Sequence, residues 1–292
     1  MRSLVLLAHC AMIPLLTGCP TPPPASQLPN AAAAIDRMKA TAACGVGVKA
    51  AAKIDYFGEH GRIRADLSVL AFTPARLRMG VFTMNQLVAT LASDGQRFAM
   101  DDQREKRFLV GAASACNIAR ITQVPIPGHA LVSLLRGQAP ILKHEPTAGT
   151  ITWSGKGHYI LTIPSSREAT EEILLAPHPD DFGKPWGEQR MRVLGVTVHQ
   201  YGDVLYEAKL SDFRPAAMAG VRVDPDGIDP PIPPSGPQCT AELPRKIEVE
   251  VPMQDQEVVF TYDQATWNEP LIEGVFTLPA PPGFPVVPVR CD

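Results

Sequence analysis

The chain has 292 residues, with 27 Lys and Arg against 30 Asp and Glu, 30 prolines and six cysteines. A formal charge of −3 leaves no electrostatic footprint for nucleic acid. At this length one β-rich domain buries roughly 70–75% of its unfolded surface, enough for a full core. No apolar stretch after residue 18 is long enough to cross a bilayer as a helix.

Arg2 precedes an apolar run over 4–16 that is too short to span a membrane, and Leu16-Thr17-Gly18-Cys19 closes it. This start resembles the signal peptide and lipobox of bacterial lipoprotein precursors. The resemblance implies cleavage after Gly18, a diacylglycerol on the Cys19 sulfur and an acylated new amine. Two or more such palmitate-like chains, at ~0.8 kcal/mol per buried methylene, hold a domain on a membrane essentially permanently. Without residues 1–18 the balance is 26 basic against 30 acidic residues, or −4.

Cys10 leaves with the signal and Cys19 is taken by lipid. Cys44, Cys116, Cys239 and Cys291 then remain in an oxidising compartment, an even set that favours two disulfides with three pairings open. The expected pairs are Cys44 with Cys116 and Cys239 with Cys291, each within one half of the chain. Their separations, 72 and 52 residues, correspond to about 4 kcal/mol each in the chain-entropy model. No two cysteines have the close spacing of a structural zinc site.

Residues 20–30 hold five prolines and read as an extended tether between lipid and domain. Asn30 is a suitable N-cap for a helix over 31–43, with Ile35, Met38 and Ala42 on one face. From Gly45 the period changes to two. Ile63, Ala65, Leu67, Val69 and Ala71 alternate with polar residues, and Leu77, Met79 and Val81 repeat the pattern. Strands are expected over 87–93, 96–100 and 106–110, joined by short turns that imply antiparallel neighbours. Apolar residues at helical spacing then predict two short helices within 114–136, separated by Pro125-Ile126-Pro127-Gly128. Strands resume at 150–153, 158–163, 172–175, 190–199 and 204–210. A proline-rich loop over 225–237 separates these from strands at 246–251 and 257–262. About eleven strands and three helices give a mainly β (α+β) class, a strongly curved antiparallel sheet with helices across its open side.

This order of elements resembles the LolA/LolB superfamily of bacterial lipoprotein carriers and receptors. The similar local phrases are Ala75-Arg76-Leu77-Arg78, the stretch from Val88 to Gly95, Pro125-Ile126-Pro127 followed by 131–137, and residues 262–276. The resemblance covers about residues 31–291. It implies an unclosed β-barrel with a helical lid and acyl chains held in the apolar space between them. In LolB-like receptors an apolar residue protrudes from the hairpin between the third and fourth strands and helps pass lipoprotein into the membrane. Met84 falls at that tip, flanked by Thr83 and Asn85 where the family has Pro and Gly. Ile63, Leu67, Leu77, Met79, Leu87, Leu91, Phe98, Met100 and Phe108 are the candidate cavity lining. An apolar alternation serves a packed core and a ligand cavity alike.

No nucleophile elbow is present, and Ser154-Gly155-Lys156-Gly157-His158 reads as a hairpin turn. His178-Pro179-Asp180-Asp181 and the run 224–229 have metal-ligand residue types but read as solvated turns; the latter lacks the acid that closes a calcium loop, Ser235 standing there. Glu168, Glu171 and Glu172 read as a charged strand edge. The expectation is a non-enzymatic lipoprotein, without cofactor or metal, anchored at the periplasmic face of the outer membrane and binding acyl chains of lipids or lipoproteins. The competing expectation is a filled barrel whose proline-rich loops bind a periplasmic protein.

Overall fold

Asn30 opens the first helix, α1 (Ala31–Ala42), by accepting the Ala33 N–H on its side chain at 2.9 Å. Ala31, Ala34, Ile35, Met38 and Ala42 form its buried face. In the computed structural model residues 20–59 and 61–290 are described, and Cys19 and Cys291 lie outside them. A meander follows α1: β1 (Gly47–Gly58), β2 (Gly61–Phe72), β3 (Arg76–Thr83), β4 (Gln86–Ser93), β5 (Arg97–Asp102) and β6 (Arg107–Ala112). Two short helices, α2 (Ala115–Thr122) and α3 (Gly128–Leu135), interrupt it.

A second run of strands comprises β7 (Thr150–Trp153), β8 (Tyr159–Pro164), β9 (Ala169–Pro177), β10 (Met191–Gln200), β11 (Asp203–Pro215), β12 (Ala217–Met218), β13 (Glu242–Val251) and β14 (Gln256–Trp267). The last strand among the described residues is β15 (Val286–Pro288), which pairs parallel with β6. All belong to one sheet of order 15-6-5-4-3-2-1-14-13-11-10-9-8-7, with β12 beside β14. β15 and β7 are its free edges, so it curves without closing. The twist inherent to strands bends so many of them into a trough, and bulges in the β1–β14, β3–β4, β9–β10 and β10–β11 ladders bend it further.

The three expected helices are present, and the strand succession is longer than expected. β12 and β15 are two- and three-residue pieces, and β15 lies in a proline-rich stretch with no alternation to signal it. The sheet order brings the first and second runs of strands together, because β1 pairs directly with β14. This juxtaposition corrects the cysteine pairing. Cys44 precedes β1, Cys239 precedes β13, and the two are bonded with Cα atoms 4.9 Å apart. Asn268 reinforces the same seam: its Oδ1 accepts from Val46 N at 2.9 Å, and its Nδ2 donates to Cys44 O at 2.8 Å and to Pro237 O at 2.6 Å. Cys116 is disulfide-bonded as well.

Residues 21–28, expected as a tether, lie on the domain. Thr21 N donates to Gly155 O at 2.8 Å and Thr21 O accepts from Trp153 Nε1 at 2.9 Å. Ser26 Oγ accepts from Trp186 N and Ser26 O from Gln189 Nε2, at 2.9 and 3.0 Å. Leu28 is buried in the main core. The prolines that keep this stretch extended also fit it along an edge.

Candidate functional site

The apolar alternation of β2 to β6 builds one wall of the trough, and α2 and α3 lie over it, α3 against β2 and β3 and α2 against β4. Leu67, Leu77, Met79, Leu91, Phe98 and Met100 are buried in one continuous core with Ile118, Ile121, Leu131 and Leu134 of the two helices. In this conformation side chains fill the space beneath the lid.

Three of the expected lining residues stand elsewhere. Ile63 shares the alternation of Ala65 and Leu67 but is 48% exposed, because it sits near the free end of the β1–β2 hairpin. Leu87 is 44% exposed. The bulge between Val81 and Phe82 shifts parity by one residue, so Leu87 packs beside Gly80 and Phe82 while Ala89, paired with Val81, turns inward. Phe108 pairs with Asp101, so Leu109, opposite Met100, takes the inward position. Phe108 faces the outer side, where Phe276, Pro288 and Val289 border a groove of about 1160 Å³ with it.

The lid is fastened at the C-terminal end of α3. Tyr262 OH donates to Leu135 O at 2.8 Å, and the Arg136 guanidinium donates to Gly45 O. Arg136 is buried without an ion pair among the described residues, and burial pulls its pKa down to about 10. At the other end of α3 a second recess, of about 470 Å³, lies between Ile126, Pro127 and Ala130 and the sheet residues Val198, Tyr206 and Val251. Met253, 67% exposed, stands at its margin. Such an apolar recess beside a lid secured at one end is suited to a flexible hydrocarbon.

Glu171 is the group that sequence reasoning misplaced. It was expected on a wet strand edge, yet it is 0% exposed, alternating inward with Ile173 and Leu175 on β9. Its Oε2 accepts from Leu142 N at 2.9 Å, and its Oε1 has no hydrogen-bond partner among the described residues. Burial pushes its pKa up to about 7, the Leu142 N–H pulling the other way. Leu142, and Val198 across the β9–β10 ladder, also line the recess. Burial and the Glu171 charge both raise the Tyr206 phenol.

Two of the expected turns carry structure of their own. Asp224 accepts from Ile228 N and Asp229 N, at 2.9 and 3.1 Å, and closes a local loop. Asp181, expected in a solvated turn, is buried; Arg190 and Lys184 bind its carboxylate and hold its pKa well below the usual range. The carboxylate thereby locks the β9–β10 connection.

Met84 is 98% exposed, with φ of 49°, and Asn85 follows at 61°. Two successive left-handed residues make a tight hairpin turn that favours Asn and Gly. Met in the first position costs roughly 1 kcal/mol and buries nothing in return. Its presence there therefore has no folding rationale.

No family model and no curated protein sequence matches the chain. Solved structures do share its architecture. A LolA superfamily protein from Nitrosomonas europaea superposes with a TM-score of 0.51 at 10% identity, over 85% of this chain and 98% of that one. The fold is LolA/LolB-like. A DUF1329 family protein from Desulfovibrio piger shares it as well, with a TM-score of 0.53 at 8% identity over 84% of this chain and 95% of that one. Identity this low carries the LolA/LolB-like fold and no residue roles.

Proposed function

We propose that this chain is a non-enzymatic envelope lipoprotein, anchored through lipid on Cys19 at the periplasmic face of the outer membrane, that binds acyl chains of lipids or lipoproteins between α2–α3 and the sheet. The observation that carries the reading is the apolar recess beneath the Pro125–Pro127 end of the lid, in an unclosed sheet of carrier-like fold. The packed interior is the closed state, and an acyl chain enters as the lid swings about its fastening at Leu135 and Arg136. A fluorescent fatty acid is expected to bind the soluble domain saturably and to be displaced by phospholipid; absence of binding would favour the protein-binding alternative. That alternative rests on the proline-rich loops, the one over 225–237 among them, with the outer groove around Phe108 and Phe276 as an added surface for the partner.

The exposed Met84 supports a role in handing cargo to a bilayer, since a thioether side chain adapts to acyl chains of many shapes. Met84→Glu is expected to leave fatty-acid binding unchanged and to reduce insertion of cargo into vesicles by at least about tenfold, the cost of desolvating a charge. Unchanged insertion would remove Met84 from the proposal.

A further inference from the structure

Pro20 immediately follows Cys19, and its ring lies against Gly155 in the turn between β7 and β8. The next residue, Thr21, is bonded in both directions, from its N–H to Gly155 O and from Trp153 Nε1 to its carbonyl. Ser26, Leu28 and Gln189 continue the attachment into the core. A proline-rich segment held at so many points provides no reach. We infer that residues 20–28 are a strap which seats the β7–β8 turn directly on the phospholipid headgroups of the anchoring membrane, fixing the domain's orientation there.

The chemistry of the turn fits that surface. Lys156 is exposed at its tip, a cation for anionic headgroups. Trp153, half-buried beside it, is held edge-on by the buried Tyr159 at 4.9 Å and by Phe182 at 6.1 Å, and an indole is a side chain favoured at membrane–water interfaces. Gly155 and Gly157, both at positive φ (72° and 87°), bring the turn close to Pro20 and Thr21 without intervening side chains. The inference rests on lipidation of Cys19.

The test uses the processed, lipidated full chain in vesicles of phosphatidylcholine with a quarter phosphatidylglycerol. A membrane-impermeant amine reagent is applied and each lysine is quantified by mass spectrometry. Lys156 is expected to be labelled at least about fivefold less in the native chain than in a variant carrying a Gly-Ser insert of about 20 residues between Pro20 and Thr21, long enough to reach roughly 25 Å. Thr21→Pro, which removes the N–H bonded to Gly155, is expected to raise labelling of Lys156 part of the way. Equal labelling of Lys156 in all three, with all three floating on the vesicles, would overturn the strap while leaving the anchor intact. Failure of the chain to float with vesicles would overturn the anchor and the strap together.

Discussion

Replacing Glu171 with Gln is expected to remove about 3 kcal/mol of pH-dependent destabilisation from the folded chain. The carboxyl has an ordinary value of 4.5 in the open chain and about 7 in the fold, where burial disfavours its charge. Below pH 4.5 it is protonated in both states and contributes no penalty. As pH rises from 4.5 to 7 the unfolded chain ionises while the folded one resists, so stability falls by roughly 1.4 kcal/mol per unit of pKa difference and levels off above 7. Gln keeps an acceptor for Leu142 N–H and has no charge to bury. Denaturant unfolding of parent and variant at pH 4.5, 6 and 8 measures the effect as a difference, in which other titrating groups cancel. The two stabilities should diverge with pH, the variant becoming relatively more stable. Parallel curves would mean that Glu171 is solvated, and the recess beside it with it.

The second large effect concerns the seam between β1 and the β13–β14 pair. Cys44 and Cys239 are 195 residues apart, a longer loop than either expected pairing would close. The chain-entropy model assigns their link about 5 kcal/mol. Cys239→Ser with Cys44→Ser is expected to lose most of that in denaturant unfolding, the Asn268 hydrogen bonds holding the seam without it. Mapping of unreduced peptides should give Cys44 with Cys239, and Cys116 with Cys291, the cysteine two residues beyond Val289, which bonds to Val110 O at 2.9 Å. Recovery of Cys44 joined to Cys116 would contradict the order of the sheet.

Elements with a strong local signature were legible from residues alone. The Asn30 cap, the alternation of β2 and the helical spacing on both sides of Pro125 each follow from neighbours a few positions away, and the resulting order gave the LolA/LolB-like fold. Features set by distant contacts were not. Alternation extended to Leu87 and Phe108 crosses a bulge and a turn, each of which changes parity. The cysteine pairing depended on β1 meeting β14, a neighbour relation that chain proximity does not indicate. The proline-rich strap looked like a tether because its partners, Trp153 and Gly155, come about 130 residues later. Glu171 was hidden among Glu168 and Glu172; its one available signal was its alternation with Ile173 and Leu175.

The lid and the outer groove offer different places for an acyl chain. A fatty acid bearing a photoactivatable diazirine near its methyl end, bound to the protein and irradiated, separates them by the peptides it labels. Labels are expected on the Ile126–Ala130 end of the lid and on the facing residues Val198, Tyr206 and Val251, suppressed by excess unlabelled phospholipid. Labels confined to Phe108, Phe276 and Val289, or none that phospholipid suppresses, would contradict binding beneath the lid.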